Sequence, residues 1–474
     1  MAQSEKVMQI SKAERNVENK EDSVEKRYIE EVISQMRCKK ARDMVAEELS
    51  AHIEDQTETY IQFGLSFEEA RKRAVAQMGD PVEVGTSMDR IHRPRIDVRT
   101  IALIAALTVI GMGVQIIMLQ TSLNAVGADG FLGETRSIVA IIRDSLLGFI
   151  VMLAVMFLDY SFLGKHPVAL WISLLAVLFL LEISDMVWIL WRLSSTNLSV
   201  LSAVMILLFG AIVYHYRQQG YSGIFKSLLW LAAGFLVHSQ MSGISLSAAF
   251  TLFATGILTI SFAVCKGWFA VKKRNAMFLL WGIWLIPLSG VVAALAAGFI
   301  GKAYQTARIR SFFNPYIDPK GGGYVTLNMR ERLADMRLFG SAGEGDAYYW
   351  WYTLNYVMEE YGIVMGVVLM AFLALLFGKM LSALMKQQNR LGSLLGVGAI
   401  GYLVVSTLLH VLAALTLIPS TSAYLPFFTE GTNATIACYL LLGVYLSVHR
   451  NSMILSEKKC KPAWRLRLVA EQEK

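Results

Sequence analysis

Cysteine and charge are both scarce in this chain. Four cysteines stand among 474 residues (Cys38, Cys265, Cys438 and Cys460), with no Cys-x-x-Cys pair and no ligand spacing to a histidine. A secreted disulfide scaffold is thereby excluded, and the four read as ordinary reduced thiols. Charged residues make up 17% and hydrophobic ones 55%, where an average soluble domain has about 25% and about 45–50%. That imbalance excludes a soluble globular enzyme and a disordered chain. No apolar run precedes Ile101, far too late for a cleavable signal peptide, so the N-terminus is expected to be retained and cytoplasmic. No internal repeat is visible, which counts against an inverted-repeat transporter. The formal charge of +7 falls mostly in loops between apolar blocks, a pattern of membrane topology and not of nucleic-acid binding.

What is present divides near residue 95. Residues 1–27 are polar and expected to be disordered. Residues 28–95 carry helical periodicity. One helix is predicted over Tyr28–Met36. A second covers Ala41–Phe63, with Met44, Val45, Leu49, Ile53, Tyr60 and Ile61 near one face and Gly64 placed to end it. Ser66 ahead of Glu68 and Glu69 caps a third, which runs to Met78 and is broken by Gly79-Asp80-Pro81. The residues Glu48, His52, Glu54, Gly64, Leu65, Glu68, Glu69, Ala70, Ala74 and Gly79-Asp80-Pro81 resemble the HAAS or permease-prefix domain. That small helical module stands ahead of many Gram-positive membrane proteins. The resemblance implies an interaction module, not chemistry.

From Thr100 onward apolar blocks begin near Ile101, Ile138, Pro167, Leu198, Phe225, Ile244, Ala276, Tyr352, Leu391 and Thr429. That makes about ten helices, each with the roughly 20 residues a bilayer crossing takes. Three basic loops set the orientation: Lys266 with Lys272, Lys273 and Arg274; Lys379 with Lys386 and Arg390; and the tail from Arg450 to Arg467. All fall on the N-terminal side, which predicts both termini in the cytoplasm. The expected fold is therefore all-α: a small cytoplasmic helical domain (28–95), a polytopic membrane domain of about ten transmembrane helices (97–450), and a basic cytoplasmic tail (451–474). One long loop, 302–351, is expected on the outer face, and loops of that length are usually functional or disordered.

That loop holds a recognisable pattern. Phe313-Asn314-Pro315-Tyr316-Ile317-Asp318-Pro319, then Gly321–Gly323 and Tyr324, is similar to an "NPW-x-DP-x-G-x-GY" motif, and Tyr304-Gln305 with Arg308 to the "YQ-x-x-R" before it. Ile418-Pro419-Ser420-Thr421 and Leu425-Pro426-Phe427-Phe428 resemble "LPTTGLPLPF". Glu359-Glu360-Tyr361-Gly362 resembles "GEELG", Arg143 fits an "RQ", and Asp159-Tyr160 a "DY". These residues, in order over about 97–450, identify the chain as resembling the SEDS family of FtsW, RodA and SpoVE. The resemblance implies a bacterial plasma-membrane protein of cell-wall synthesis, cell shape or division. Such proteins polymerise lipid II, an undecaprenyl-linked disaccharide-pentapeptide, at the outer membrane face, usually beside a class B penicillin-binding transpeptidase. It implies a carboxylate base on the acceptor sugar hydroxyl. It also implies basic groups, or Mg²⁺ or Mn²⁺, for the pyrophosphate leaving group.

Departures from the family pattern fall on the chemistry. The family's presumed catalytic aspartate aligns with Trp351, whose indole N–H can only donate. Glu344 and Asp346, a few residues upstream, are the candidate substitutes. After the third span a polar "QPSE…K" segment is replaced by Trp191–Val200, with Val200 and Ala203 at the two charged positions, and a "GGSS" has become Gly431-Thr432-Asn433-Ala434. Either the site is rebuilt with other carboxylates, or the chain is an inactive relative that scaffolds or regulates cell-wall enzymes. A lipid-intermediate transporter is the third reading. Candidate substrate-binding residues are Arg143, Arg308, Asp318, Glu359 and Glu360. Asp318 is expected in a turn before Pro319. Glu359 and Glu360 are expected in the first turns of the eighth span. Arg143 and Asp144 are neighbours, which are not expected to face each other on a helix. Any single loop arginine among Arg308, Arg310, Arg330, Arg332 and Arg337 reads as a solvated charge. Tyr348–Tyr352 reads as an interfacial aromatic belt.

Overall fold

The computed structural model describes residues 24–126, 137–183, 187–241, 246–282, 303–341 and 352–452, and every regular element among them is helical. The chain divides close to residue 96 into two compact units.

The first unit has four helices among its described residues: α1 (24–34), α2 (Lys39–Gln62), α3 (Phe67–Gln77) and α4 (Pro81–Ile91). Tyr28, Val32, Met36, Val45, Leu49, Ile53, Ala74 and Val75 fill its core. Three helices were expected. The Gly79-Asp80-Pro81 break does end α3, but it also starts α4: the Asp80 side chain accepts from Glu83 N at 3.0 Å, and Pro81 stands in the first turn, where its missing N–H costs nothing. Helix α4 lies so close to α1 that a Cβ on Gly85 would meet the Val32 carbonyl at 2.6 Å.

The second unit is an apolar helical bundle. It comprises α5 (Val98–Val126), α6 (Ile138–Phe157), α7 (Pro167–Ile183), α8 (Val187–His215), α9 (Gly220–Met241), α10 (Leu246–Cys265) and α11 (273–282). It continues with α12 (Ala303–Phe313), α13 (Tyr324–Asp335), α14 (Thr353–Tyr361), α15 (Ile363–Met385), α16 (Arg390–Ala414) and α17 (Thr432–Arg450). Among the described residues, seven helices are long and apolar enough to cross a membrane; they lie in α5, α6, α9, α10, α15, α16 and α17. Pro167–Leu180 and Ser199–His215 are shorter apolar helices. Helix α16 is buried along most of its length and packs on α8 and α10 at the centre of the bundle. By contrast α6 carries large exposed apolar side chains such as Val139, Leu146 and Ile150, as a lipid-facing helix does.

Two expectations change here. The block from Tyr352 is not one span. It is the short helix α14, then Gly362 with φ +95°, then the spanning helix α15. A Cβ on Gly362 would sit 2.5 Å from the Leu338 carbonyl, so the break needs glycine for both its backbone angle and its space. Trp191–Val200, expected between the third span and a fourth beginning near Leu198, is helical and belongs to α8.

Candidate functional site

The motifs at Arg308, Asn314–Tyr324, Glu359–Gly362 and Ile418–Phe428 gather where α12, α13, α14 and the 415–431 segment meet, whereas Tyr160 lies against Gly392 at the start of α16 and Arg143 on α6. The Asn314–Tyr324 stretch folds on itself. The Asp318 carboxylate accepts from Gly322 N at 2.7 Å, and its carbonyl accepts from Gly323 N at 2.9 Å. Cβ atoms on Gly321 and Gly323 would press into Asp318 and the Pro315 carbonyl at 2.3 and 2.1 Å, so the glycines permit the turn that the carboxylate closes. Asp318 thus stands in the turn that its place before Pro319 predicts.

Helix α13 follows directly. Its Met329 and Leu333, with Met336, pack against the cluster of Tyr352, Leu354, Met358, Ala413 and Ala414. Arg332 donates from Nε to Asn328 Oδ1 at 2.6 Å. From Nη1 it reaches both Glu359 oxygens, at 3.0 and 3.3 Å. Glu359 is 8% exposed. Burial pushes its carboxyl above the usual range, and the Arg332 guanidinium pulls it part of the way back. This corrects two expectations: Arg332 is a paired, largely buried cation and not a solvated one, and Glu359 and Glu360 stand in α14 rather than in the eighth span. Glu360, next to Glu359, is half-buried.

Arg308 on α12 donates from Nε and Nη2 to Ser420 Oγ, at 3.1 and 2.8 Å. Beside it, the Tyr352 hydroxyl accepts from Thr421 N at 2.8 Å and donates to Thr421 O at 3.3 Å. Burial raises the Tyr352 hydroxyl pKa, against the lowering effect of the Arg308 charge. The Tyr352 ring stands edge-on to His410, 5.3 Å between centroids, and His410 Nδ1 donates to the Ala423 carbonyl at 3.0 Å. Ser247 on α10 holds Ser422 through both backbone and hydroxyl. Tyr352 is therefore a buried anchor, 4% exposed, and not part of an interfacial belt. One guanidinium and several hydroxyls thus gather around Tyr352, the residue directly after position 351.

On α6 the structure differs again from expectation. Arg143 folds back on its neighbour, with Nε and Nη2 on Asp144 Oδ1 at 2.9 and 2.8 Å. The arginine arm is long enough to cross the angle that separates successive Cβ directions on a helix. The other Asp144 oxygen accepts from Thr432 Oγ1 at 2.7 Å, which ties α6 to the start of α17. The Ser420–Ser422 hydroxyls, Thr432 and Asp144 were not singled out as site residues by sequence. Motif membership flagged Ser420, while nothing local marks Thr432 as a partner of Asp144.

Glu344, Asp346 and Trp351 lie outside the described residues. Among the described residues no three His, Cys, Asp or Glu side chains converge as a group that could hold a metal ion. A divalent ion held mainly by substrate phosphates would need fewer protein ligands than that.

Comparison with known proteins agrees with this layout. Residues 98–454 match the family described as FtsW/RodA/SpoVE cell cycle protein. A probable peptidoglycan glycosyltransferase FtsW of Synechocystis is 30% identical over 36% of this chain and 49% of its own length, so the chain spans about half of that relative. Another, from Trichlorobacter lovleyi, is 22% identical over 74% of this chain and 92% of its own length. A chain solved within a peptidoglycan synthase complex superposes with a TM-score of 0.56 at 19% identity, over 75% of this chain and 98% of its own. The fold is shared, and the matched residues begin where α5 begins. This polytopic membrane protein belongs to the FtsW/RodA/SpoVE family.

Proposed function

We propose that the protein polymerises lipid II, or a closely related undecaprenyl-linked disaccharide, at the outer membrane face, with both its termini in the cytoplasm. In this reading an acceptor sugar hydroxyl attacks the anomeric carbon of the donor sugar and the lipid pyrophosphate leaves. A loop carboxylate, Glu344 or Asp346, takes the hydroxyl proton. Arg308 and the Ser420–Ser422 hydroxyls face the sugar and phosphate oxygens, where fixed donors stabilise developing charge. Asp318 shapes the loop, and Glu359 with Arg332 holds α13 against α14. A divalent ion, when bound, would add charge stabilisation on the pyrophosphate. What supports the reading most is the convergence of Arg308, Tyr352 and Ser420–Ser422 immediately after position 351, where the family carries its presumed base. A class B penicillin-binding transpeptidase is the expected partner, because a similar chain was solved within a peptidoglycan synthase complex. The N-terminal helices serve as a docking module.

Trp351 supports a second reading, an inactive relative that scaffolds or regulates cell-wall enzymes, because an indole cannot take up the proton. The two separate in one assay: labelled lipid II, full-length protein in vesicles, with and without Mg²⁺ or Mn²⁺ and the transpeptidase. Glycan strands from the wild type, lost in a Glu344→Ala, Asp346→Ala double variant, are expected from the enzyme. No strands under any of these conditions overturns it in favour of the scaffold.

A further inference from the structure

Leu338 and Phe339, just after α13, are large apolar residues left bare, 64% and 73% exposed. They lie against the start of the spanning helix α15. Ile363 N donates to the Arg337 carbonyl at 3.0 Å, Val364 N to the Leu338 carbonyl at 3.2 Å, and Gly340 N to the Tyr361 carbonyl at 3.3 Å. Their height in the membrane follows from the other end of α15. There Lys379 pairs at 3.6 Å with Asp97, the residue just before α5. Charges at the ends of spanning helices mark an edge of the hydrocarbon. Sixteen residues separate Lys379 from Ile363, about 24 Å along the axis at about 1.5 Å per residue. The hydrocarbon is about 30 Å thick, so an upright α15 places Ile363, and the loop bonded to it, about 6 Å inside the opposite edge. Irregular backbone at that depth needs its polar groups paired, and three of those in 337–340 are spent on the junction of α14 and α15. Val364, Val368 and Leu375 are exposed on one face of α15, and Val364 is the residue that holds Leu338. The apolar pair thus adjoins a lipid-facing surface. An exposed Arg337 precedes it and a partly exposed Tyr361 stands beside it, the residue types that border a bilayer edge.

We propose that Leu338 and Phe339 form an anchor inserted among the acyl chains of the leaflet beside the motif-bearing loop, the outer leaflet in the orientation proposed above. The anchor rests on the membrane-spanning fold and on these residues, not on the polymerase reading. Its partner is the hydrocarbon of the bilayer and not a polypeptide, because the depth, the paired backbone and the flanking Arg337 and Tyr361 all suit a bilayer edge. Helix α13 ends at Asp335, three residues upstream, and Met336 between them packs on the cluster that includes Tyr352 and Met358. The anchor therefore sets the height of α13, and of its Arg332–Glu359 pair, relative to the membrane. Substitution separates the two surroundings. On a face that meets water, replacing bare apolar residues by serine changes little. On a face that meets hydrocarbon, the same change strands two hydroxyls without partners.

The test uses the full-length protein in vesicles of phosphatidylglycerol and phosphatidylcholine. A genetically encoded, environment-sensitive fluorescent amino acid replaces Phe339 or, as an aqueous reference, Lys320, which is exposed in the Asp318 turn. The quenchers are a doxyl group on carbon 5 of the lipid chain and iodide in the water. Chain doxyl should quench position 339 several-fold more strongly than position 320, and iodide should do the reverse. A second arm carries no fluorophore. Hydrogen exchange of α13 should be several-fold faster in a Leu338→Ser, Phe339→Ser variant than in the wild type, with α16 unchanged as the sign of an intact fold. A Leu338→Met, Phe339→Leu variant should exchange as the wild type does. Should the serine variant not fold, the quenching arm decides alone. Strong iodide quenching with weak doxyl quenching at 339 overturns the proposal, since the pair would then stand clear of the bilayer as a surface for another polypeptide. Equal doxyl quenching at 339 and 320, or unchanged α13 exchange in the folded serine variant, also overturns it. So does an equal rise in the Leu338→Met, Phe339→Leu variant, which would make the effect one of packing within the chain.

Discussion

Polar side chains are used in opposite ways at the helix starts of the first unit and at the motif-bearing end of the bundle. In the first unit Ser66 and Asp80 each accept from a backbone N–H three residues on, at exposed helix starts. In the second, Glu359 meets Arg332 across 27 residues and Asp144 meets Thr432 across 288, both largely out of water. A cap satisfies a donor that the helix leaves orphaned, and its loss is modest and local. A buried ion pair adds little over an apolar replacement, yet losing one partner strands the other charge. The helix starts of the first unit therefore rest on small local terms, beside one long-range pair of Arg71 with Glu25, whereas the site depends on a few coupled long-range ones.

The largest test of that contrast is Glu359→Ala. It leaves Arg332 largely buried and unpaired, and should destabilise by about 3 kcal/mol, read as a lowered thermal midpoint and as faster proteolysis at Arg330 and Arg332. An Arg332→Met, Glu359→Leu double variant should recover most of the loss; no recovery would break the comparison. Next, Gly362→Ala forces a side chain onto φ +95° and into the Leu338 carbonyl. It should cost about 2 kcal/mol in the same unfolding assay. Smaller still, Asp80→Ala should cost about 1 kcal/mol, confined to the N-terminal helices and visible as increased hydrogen exchange in α4 alone.

The smallest effect is a difference of slope with pH. Burial raises the Glu359 carboxyl, so the folded chain keeps a proton that the unfolded chain has released. That contribution is complete below the ordinary carboxylate range and is lost as pH rises through the raised value. Asp97 has the opposite sign. Burial raises it, but hydrogen bonds from Thr100 and the Lys379 charge outweigh burial and leave it lowered. Its contribution is present above the ordinary range and is lost as pH falls through the lowered value. Glu359→Gln should remove the first slope and Asp97→Asn the second, as measured by unfolding across pH.

The same contrast explains what the sequence made legible. The Ser66 cap and the Gly79-Asp80-Pro81 break are local signals, and the structure keeps both; only the second meaning of Pro81, a helix start, went unread. Apolar blocks located the long helices from α5 to α17 because a bilayer crossing fixes their length. The motifs located the site because Asn314–Tyr324 and Ile418–Phe428 are contiguous. What stayed hidden was pairing at a distance. Nothing near Arg332 marks Glu359 as its partner. The rule that helical neighbours do not face each other, sound for short side chains, failed for the reach of Arg143. Tyr352 was misread because an aromatic run beside a membrane looks the same whether it meets lipid or anchors a turn.

Gly362 also bears on how movement could pass through the molecule. On either side of it, backbone bonds run from Gly340 N to Tyr361 O, from Ile363 N to Arg337 O and from Val364 N to Leu338 O. The chain thus breaks its helix at a joint clamped to residues 337–340, and not at a free hinge. A tilt of α15 would carry residues 337–340 and the foot of α14 with it as one lever. Whatever displaces that spanning helix, such as a neighbouring membrane segment or a change in bilayer thickness, would arrive at Glu359 and Tyr352 as displacement instead of being absorbed at the bend.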